Sequence, residues 1–152
     1  MALKTVSGIS GLQELAGQSL GETEWLEIDQ KRVDLFADAT LDHQWIHTDP
    51  QRAKDTPFGG TIAHGYLSLS LLPHLLWQLL EVKEVSMILN YGLNKVRFPS
   101  PLPVGKRVRL RAEAASVEPV KGGAELRMNC TMELEGGTKP VMVAEVLYRY
   151  YE

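Results

Sequence analysis

Four histidines occur in the 152 residues, and two of them closely follow an aspartate in the run LDHQWIHTDP, residues 41–50. Asp42 precedes His47 by five positions, with His43 beside the acid and Trp45 between them. A carboxylate and an imidazole this close can work as an acid–base pair, because burial and mutual hydrogen bonding bring both toward working pH. The same residues allow plainer roles. Asp42 could cap a helix while His47 sits at the surface, and two histidines four apart with an acid could bind a metal. The segment reads as irregular and offers no second carboxylate at ligand spacing, so no metal is expected. The acid–base reading is strengthened by Ala63-His64-Gly65, seventeen residues after His47, which opens a long apolar run. A helix beginning at Gly65 would present free N–H groups and its positive dipole end to negative charge, and glycine lets a ligand approach the main chain. His64 reads as a structural hydrogen-bonder at that helix start, His43 as solvent-facing, and His74 as a satisfied core histidine.

The elements that would hold these residues follow from periodicity. TEWLEID, residues 23–29, reads as a short strand, after which Asp29 can cap a helix over QKRVDLFADAT with Val33, Phe36 and Ala37 on one face. TDPQRAKD reads as a helical turn with Thr48 or Asp49 as cap and Pro50 in the first turn, and TPFGGT as a loop. Residues 62–80 are apolar almost all round, which predicts a helix enclosed by the fold and bent at Pro73, where the Leu69 carbonyl loses its donor. Beyond residue 82 the period changes to two. MILNYGLNKVRF, KRVRLRAEAASV, AELRMNCTMELEG and KPVMVAEVLYRYYE read as antiparallel strands, with hairpin turns at VKGG and EGGTKP. The fold class expected is α+β, a curved antiparallel sheet wrapped around a long buried central helix, with residues 1–152 as a single domain. A sheet of about five strands leaves edges open, so a homodimer through an edge strand is expected.

Composition narrows the field. Hydrophobic residues make up 44% and charged residues 23%, with a net charge of −3, so there is no general basic surface for nucleic acid. Lys106, Arg107, Arg109 and Arg111 cluster, and the three arginines alternate with Val108 and Leu110, so they read as the wet face of a strand. Cys130 is the single cysteine and shares the parity of Leu126, Met128 and Met132, so it reads as a packed core thiol in a reducing, cytoplasmic setting. The N-terminal residues show no signal-peptide pattern, and the apolar run at 62–80 is too interrupted for a membrane span.

FADATLDHQWIHTDPQRA followed by FGGTIAHGYLSLSLL resembles the MaoC-like, (R)-specific enoyl-CoA hydratase family, whose fold is the hotdog. Asp42, Ile46, His47, Ala63, His64 and Gly65 match the family pattern, and NKVRFPSPLPVGKRVRL resembles its next recurrent segment. Gln44 stands where the family usually has Asn, and Trp45 where it usually has Pro. Gln44 keeps the amide with altered reach, and Trp45 exchanges a rigid turn for bulk. The resemblance implies that Asp42 and His47 hold a water and share the tasks of base and acid, giving syn addition and an (R)-3-hydroxyacyl product. Which of the two is the base stays open. Gly65 would supply the oxyanion amide, a donor of a kind that contributes about 3 to 4 kcal/mol.

Other residues are candidates for substrate contacts. Tyr66, Leu67 and Ser70 could line an acyl pocket, and Asn90, Tyr91 or Asn94 could face the site from the following strand. Arg97 and Lys95 could meet the phosphates of coenzyme A, which would enter as part of an acyl-CoA thioester substrate rather than as a cofactor. Two other functions compete. A hotdog acyl-CoA thioesterase would need a carboxylate or nucleophile on the central helix, and residues 62–80 contain no Asp or Glu. A non-catalytic acyl-CoA-binding protein would gain nothing from burying an acid and a histidine beside the thioester.

Overall fold

The computed structural model describes residues 3–152. The chain begins with β1 (Lys4–Ser7), α1 (Gly8–Gln13), β2 (Ser19–Glu22) and β3 (Leu26–Glu27). Four helical pieces around the acid–histidine segment follow: α2 (Gln30–Thr40), α3 (Trp45–Thr48), α4 (Pro50–Ala53) and α5 (Gly65–Ser70). The chain then runs through α6 (Leu72–Leu76), β4 (Leu80–Lys83), β5 (Met87–Arg97), β6 (Arg107–Val120), β7 (Gly123–Leu134) and β8 (Met142–Tyr151).

The period-two half of the chain forms the sheet it predicts. Strand order is β2-β6-β7-β8-β5, antiparallel throughout, with β3 also pairing β6. Val108, Leu110, Ala112 and Ala114 of β6, Leu126, Met128, Cys130 and Met132 of β7, and Met142, Ala144 and Val146 of β8 are buried together. Their alternates form a charged outer face: Arg109 and Arg111 each lie 3.2 Å from Glu133, and Arg149 lies 3.0 Å from Glu125. The basic cluster is thus the wet face of a strand. Burial pushes the Cys130 thiol up to about 12, as a packed core thiol requires.

The helical run departs from the expected single rod. It breaks at Leu71 into pieces of six and five residues. Pro73 lacks an N–H to continue the ladder and disfavours helical backbone at the residue before it, so it starts a new helix at its first turn instead of bending the old one. The run is also not enclosed on every side. Leu67, Ser68, Leu71, Leu72, Leu75 and Leu76 are buried, while Tyr66, Ser70, His74 and Trp77 form an exposed stripe. His74 therefore belongs to the surface, where Nε2 meets the Gln78 amide at 3.1 Å, and not to the core.

At the N-terminal side, the expected strand at 23–29 reduces to β3, and β2 precedes it with Gly21 at φ +85°. A parallel pairing of β1 with β4 has no counterpart in the sequence-based expectation. No helix among the described residues is long and apolar enough to cross a membrane.

Candidate active site

Three elements bring the candidate residues together. Asp29 caps α2 by accepting the Arg32 N–H at 2.9 Å, as its position predicts. The helix ends at Leu41, which turns left-handed at φ +65° and redirects the chain into Asp42. One carboxylate oxygen of Asp42 then accepts the Gln44 N–H at 3.3 Å, closing a local turn. The single turn α3 presents His47 inward, and α4 follows with Asp49 as cap and Pro50 in its first turn.

His47 is 8% exposed. Its Nδ1 lies 2.6 Å from the Ile62 carbonyl oxygen, so Nδ1–H donates there and Nε2, without a hydrogen-bond partner among the described residues, carries the free lone pair of the neutral ring. His64 is 3% exposed and stacks on His47, with ring centroids 3.8 Å apart and planes 23° apart. Its Nε2 lies 3.0 Å from the Asp42 carbonyl oxygen and 4.0 Å from the Asp42 carboxylate. The Asp42 side chain is half exposed, at 51%. One polar atom from each of Asp42, His47 and His64 lies within 4.8 Å of the others.

Burial is the main influence lowering the proton affinity of His47. The bond to Ile62 opposes it, His64 adds to it, and Asp42 opposes it again. The ring is thereby biased toward the neutral form, which can accept a proton.

A cleft of about 350 Å³ opens beside His47, walled also by Phe58, Ala63, Gly65, Ser68 and Phe98 among others, while Asp42 and His64 lie close to His47 but do not line it. Gly65 begins α5, and the side chain of His64 leaves that helix start uncapped because it is committed to Asp42. A Cβ on residue 65 would lie 3.2 Å from the Phe98 ring, so glycine is what allows the aromatic wall to sit over the helix start.

The other candidates lie elsewhere. The Gln44 side chain is exposed outside the cleft. Tyr66 points outward at 70% exposure, edge-on to Phe98, and Leu67 is core. Asn94 and Arg97 are exposed on β5, where the Arg97 guanidinium donates to the neighbouring Val96 carbonyl at 2.7 Å. Asn90 and Ser70 share a separate hollow of about 310 Å³ with Leu69, Pro73 and Leu93. His43 turns away to Asp38 at 2.9 Å.

Two residues escaped the sequence reading. Ser68, 2% exposed, reaches the cleft from the second turn of the run. Gln30 donates to the His47 carbonyl at 2.7 Å and accepts from the Thr61 hydroxyl at 2.7 Å, tying α2 to both segments of the site. Helical spacing from Gly65 could have pointed to Ser68, three positions on, whereas nothing local marks Gln30.

Residues 12–134 match the family described as MaoC like domain. The chain belongs to that family. It is 49% identical over 149 residues to 3-hydroxyacyl-thioester dehydratase Z of Mycobacterium tuberculosis, covering 97% of this chain and 99% of the relative. It is 31% identical over 132 residues to 3-hydroxybutyryl-CoA dehydratase of Methylorubrum extorquens, covering 86% and 79%. Among solved structures, an (R)-hydratase from Pseudomonas aeruginosa superposes with a TM-score of 0.76 at 25% identity, covering 95% of this chain and 86% of that one. The fold is the hotdog of this MaoC-like family, and the chain is a hydro-lyase, an enzyme that adds or removes water.

Proposed function

We propose that the protein catalyses the reversible (R)-specific hydration of trans-2-enoyl-CoA to (R)-3-hydroxyacyl-CoA. The observation that carries the reading is the fixed tautomer of His47. Its Nδ1–H is bound to the Ile62 carbonyl, which leaves the Nε2 lone pair free on a ring that lines the same cleft as Gly65 and has Asp42 close by.

In this reading a water sits between the Asp42 carboxylate and His47 Nε2. Neutral His47 takes a proton from the water as the oxygen adds to C3 of the enoyl thioester. Electrons pass to the thioester oxygen, where the amide at Gly65 stabilises the negative charge. The imidazolium then returns the proton to C2, and Asp42, still ionised, holds the ring and water in place. Hydroxyl and proton arrive from one side, which gives syn addition. The (R) outcome is supported by the hydratase neighbour and the matching Asp42/His47 spacing. Coenzyme A enters only as part of the substrate, and no separate cofactor is needed. A reducing, cytoplasmic setting accords with the lone buried Cys130, and a homodimer through β5 accords with its open edge.

Loss of enoyl-thioester absorbance from crotonyl-CoA tests the function. Asp42→Asn and His47→Gln should each lower kcat by about 10²- to 10⁴-fold in folded protein. Release of free coenzyme A by the wild type would instead indicate a thioesterase, although the helical run 62–80 carries no Asp or Glu. Binding without turnover across several enoyl chain lengths would indicate an acyl-CoA-binding protein.

A further inference from the structure

The chemistry above gives no task to the buried His64 imidazole. We propose that His64 is a positioning residue for this reaction, holding the Asp42 main chain through its Nε2–H and the His47 ring by stacking. The proposal rests on the hydratase reading.

Three contacts carry it. The Asp42 carbonyl oxygen can only accept, so at 3.0 Å the proton of neutral His64 resides on Nε2. Nδ1 is then a bare lone pair, and it is buried without a partner among the described residues. Leaving a buried acceptor unpaired is costly, and an apolar ring of the same size would avoid that cost. The imidazole is therefore explained by what its other nitrogen does. The second contact is the stack on His47 at 3.8 Å, while Phe36 packs against His64 at 5.0 Å and 59°. The third is covalent: the residue after His64 is Gly65, whose amide lies at the head of α5. One immobilised ring thus relates the acid, the base and the amide.

The titratable groups facing His47 are His64, from the start of α5, and Asp42, from the loop after α2. The other residues walling the cleft, including Phe58, Ser68, Phe98 and Ser100, are uncharged. Of the two titratable groups, His64 lowers the proton affinity of His47 and Asp42 raises it, so removing the His64 imidazole leaves Asp42 as the one titratable neighbour.

The test compares wild type, His64→Phe and His64→Gln in crotonyl-CoA hydration, with kcat and KM measured across pH. In parallel, the His47 imidazole is titrated by NMR without substrate. Phenylalanine keeps the ring volume and the stack but loses the donor, so kcat should fall about 10- to 100-fold while KM stays within about two-fold. Glutamine can return an N–H near the place of Nε2 and should recover part of that loss. In both variants His47 should titrate at higher pH than in wild type. Folded variants with wild-type kcat and an unmoved His47 titration would overturn the proposal. So would a loss of kcat that tracks loss of folded protein while His47 in the folded fraction titrates as before. The titration needs no turnover. A wild type inactive on enoyl thioesters therefore defeats the hydratase reading, while the His47 shift still reports on the His64 contact.

Discussion

Burial of the His47 imidazole gives stability a pH dependence with a definite sign. The folded ring titrates below the ordinary 6.5, so between that lowered value and 6.5 the unfolded chain binds more protons than the folded one. Stability from this group is complete above pH 6.5 and is lost as pH falls through the folded value. Urea midpoints should therefore decline from pH 7 to pH 5, and His47→Gln should flatten part of that decline. A midpoint rising over the same interval would contradict the burial argument. The acid limb of kcat/KM should likewise lie below 6.5, because the base must be neutral. Residue types and spacing pointed to Asp42, His47 and Gly65, and the fold sets Asp42 close to His47 and puts Gly65 in the cleft that His47 lines. Tyr66 lies outside the cleft because it falls on the exposed stripe of α5, and Asn94 and Arg97 lie outside it for a different reason. On β5 the register shifts between Asn90 and Gly92 and again between Leu93 and Lys95, and each shift changes which side chains share a face. Strict alternation cannot place Asn94 or Arg97 across those bulges.

Helix α2 does more than cover the sheet, because its first residue reaches into the site. Gln30 satisfies the His47 carbonyl and the buried Thr61 hydroxyl with one amide. Gln30→Leu should cost about 1 to 3 kcal/mol of unfolding free energy by stranding these partners. It should also lower kcat more than it raises KM, because His47 would lose the bond that fixes its backbone. Chemical denaturation and steady-state kinetics on the same variant check both parts, and an unchanged midpoint would show that water replaces the amide without loss. This link joins residues seventeen and thirty-one positions apart, so no local pattern could reveal it. The caps at Asp29 and Asp49 were legible because capping is local. The break at Leu71 was not, because burial keeps its helical period across it: Tyr66, Ser70, His74 and Trp77 form one exposed stripe over both pieces.

The long strands and hairpins follow from alternation alone, yet alternation is silent about which strands end a sheet. Among the described residues β5 pairs only with β8, which leaves its other edge open. Met87, Ile88, Leu89, Tyr91 and Leu93 are all exposed there. An edge with unpaired backbone groups and apolar side chains invites another strand. The hollow shared by Leu93 and Asn90 of β5 with Leu69 and Pro73 of the helical run sets this edge beside the exposed stripe of Tyr66 and Trp77. A second copy related by a twofold axis would pair β5 with itself and cover both surfaces at once. Light scattering should therefore give a wild-type mass of twice the 16.9 kDa chain at micromolar concentration. Leu89→Lys combined with Leu93→Lys should move it toward the single-chain mass, because like charges would then meet across the axis. Phe98 stacks over Gly65 immediately beyond the end of β5, so the cleft wall is anchored to the same edge. The monomeric variant should accordingly lose activity even with Asp42 and His47 intact. A wild type that runs as a monomer while hydrating crotonyl-CoA at full rate would disconnect the edge from the site.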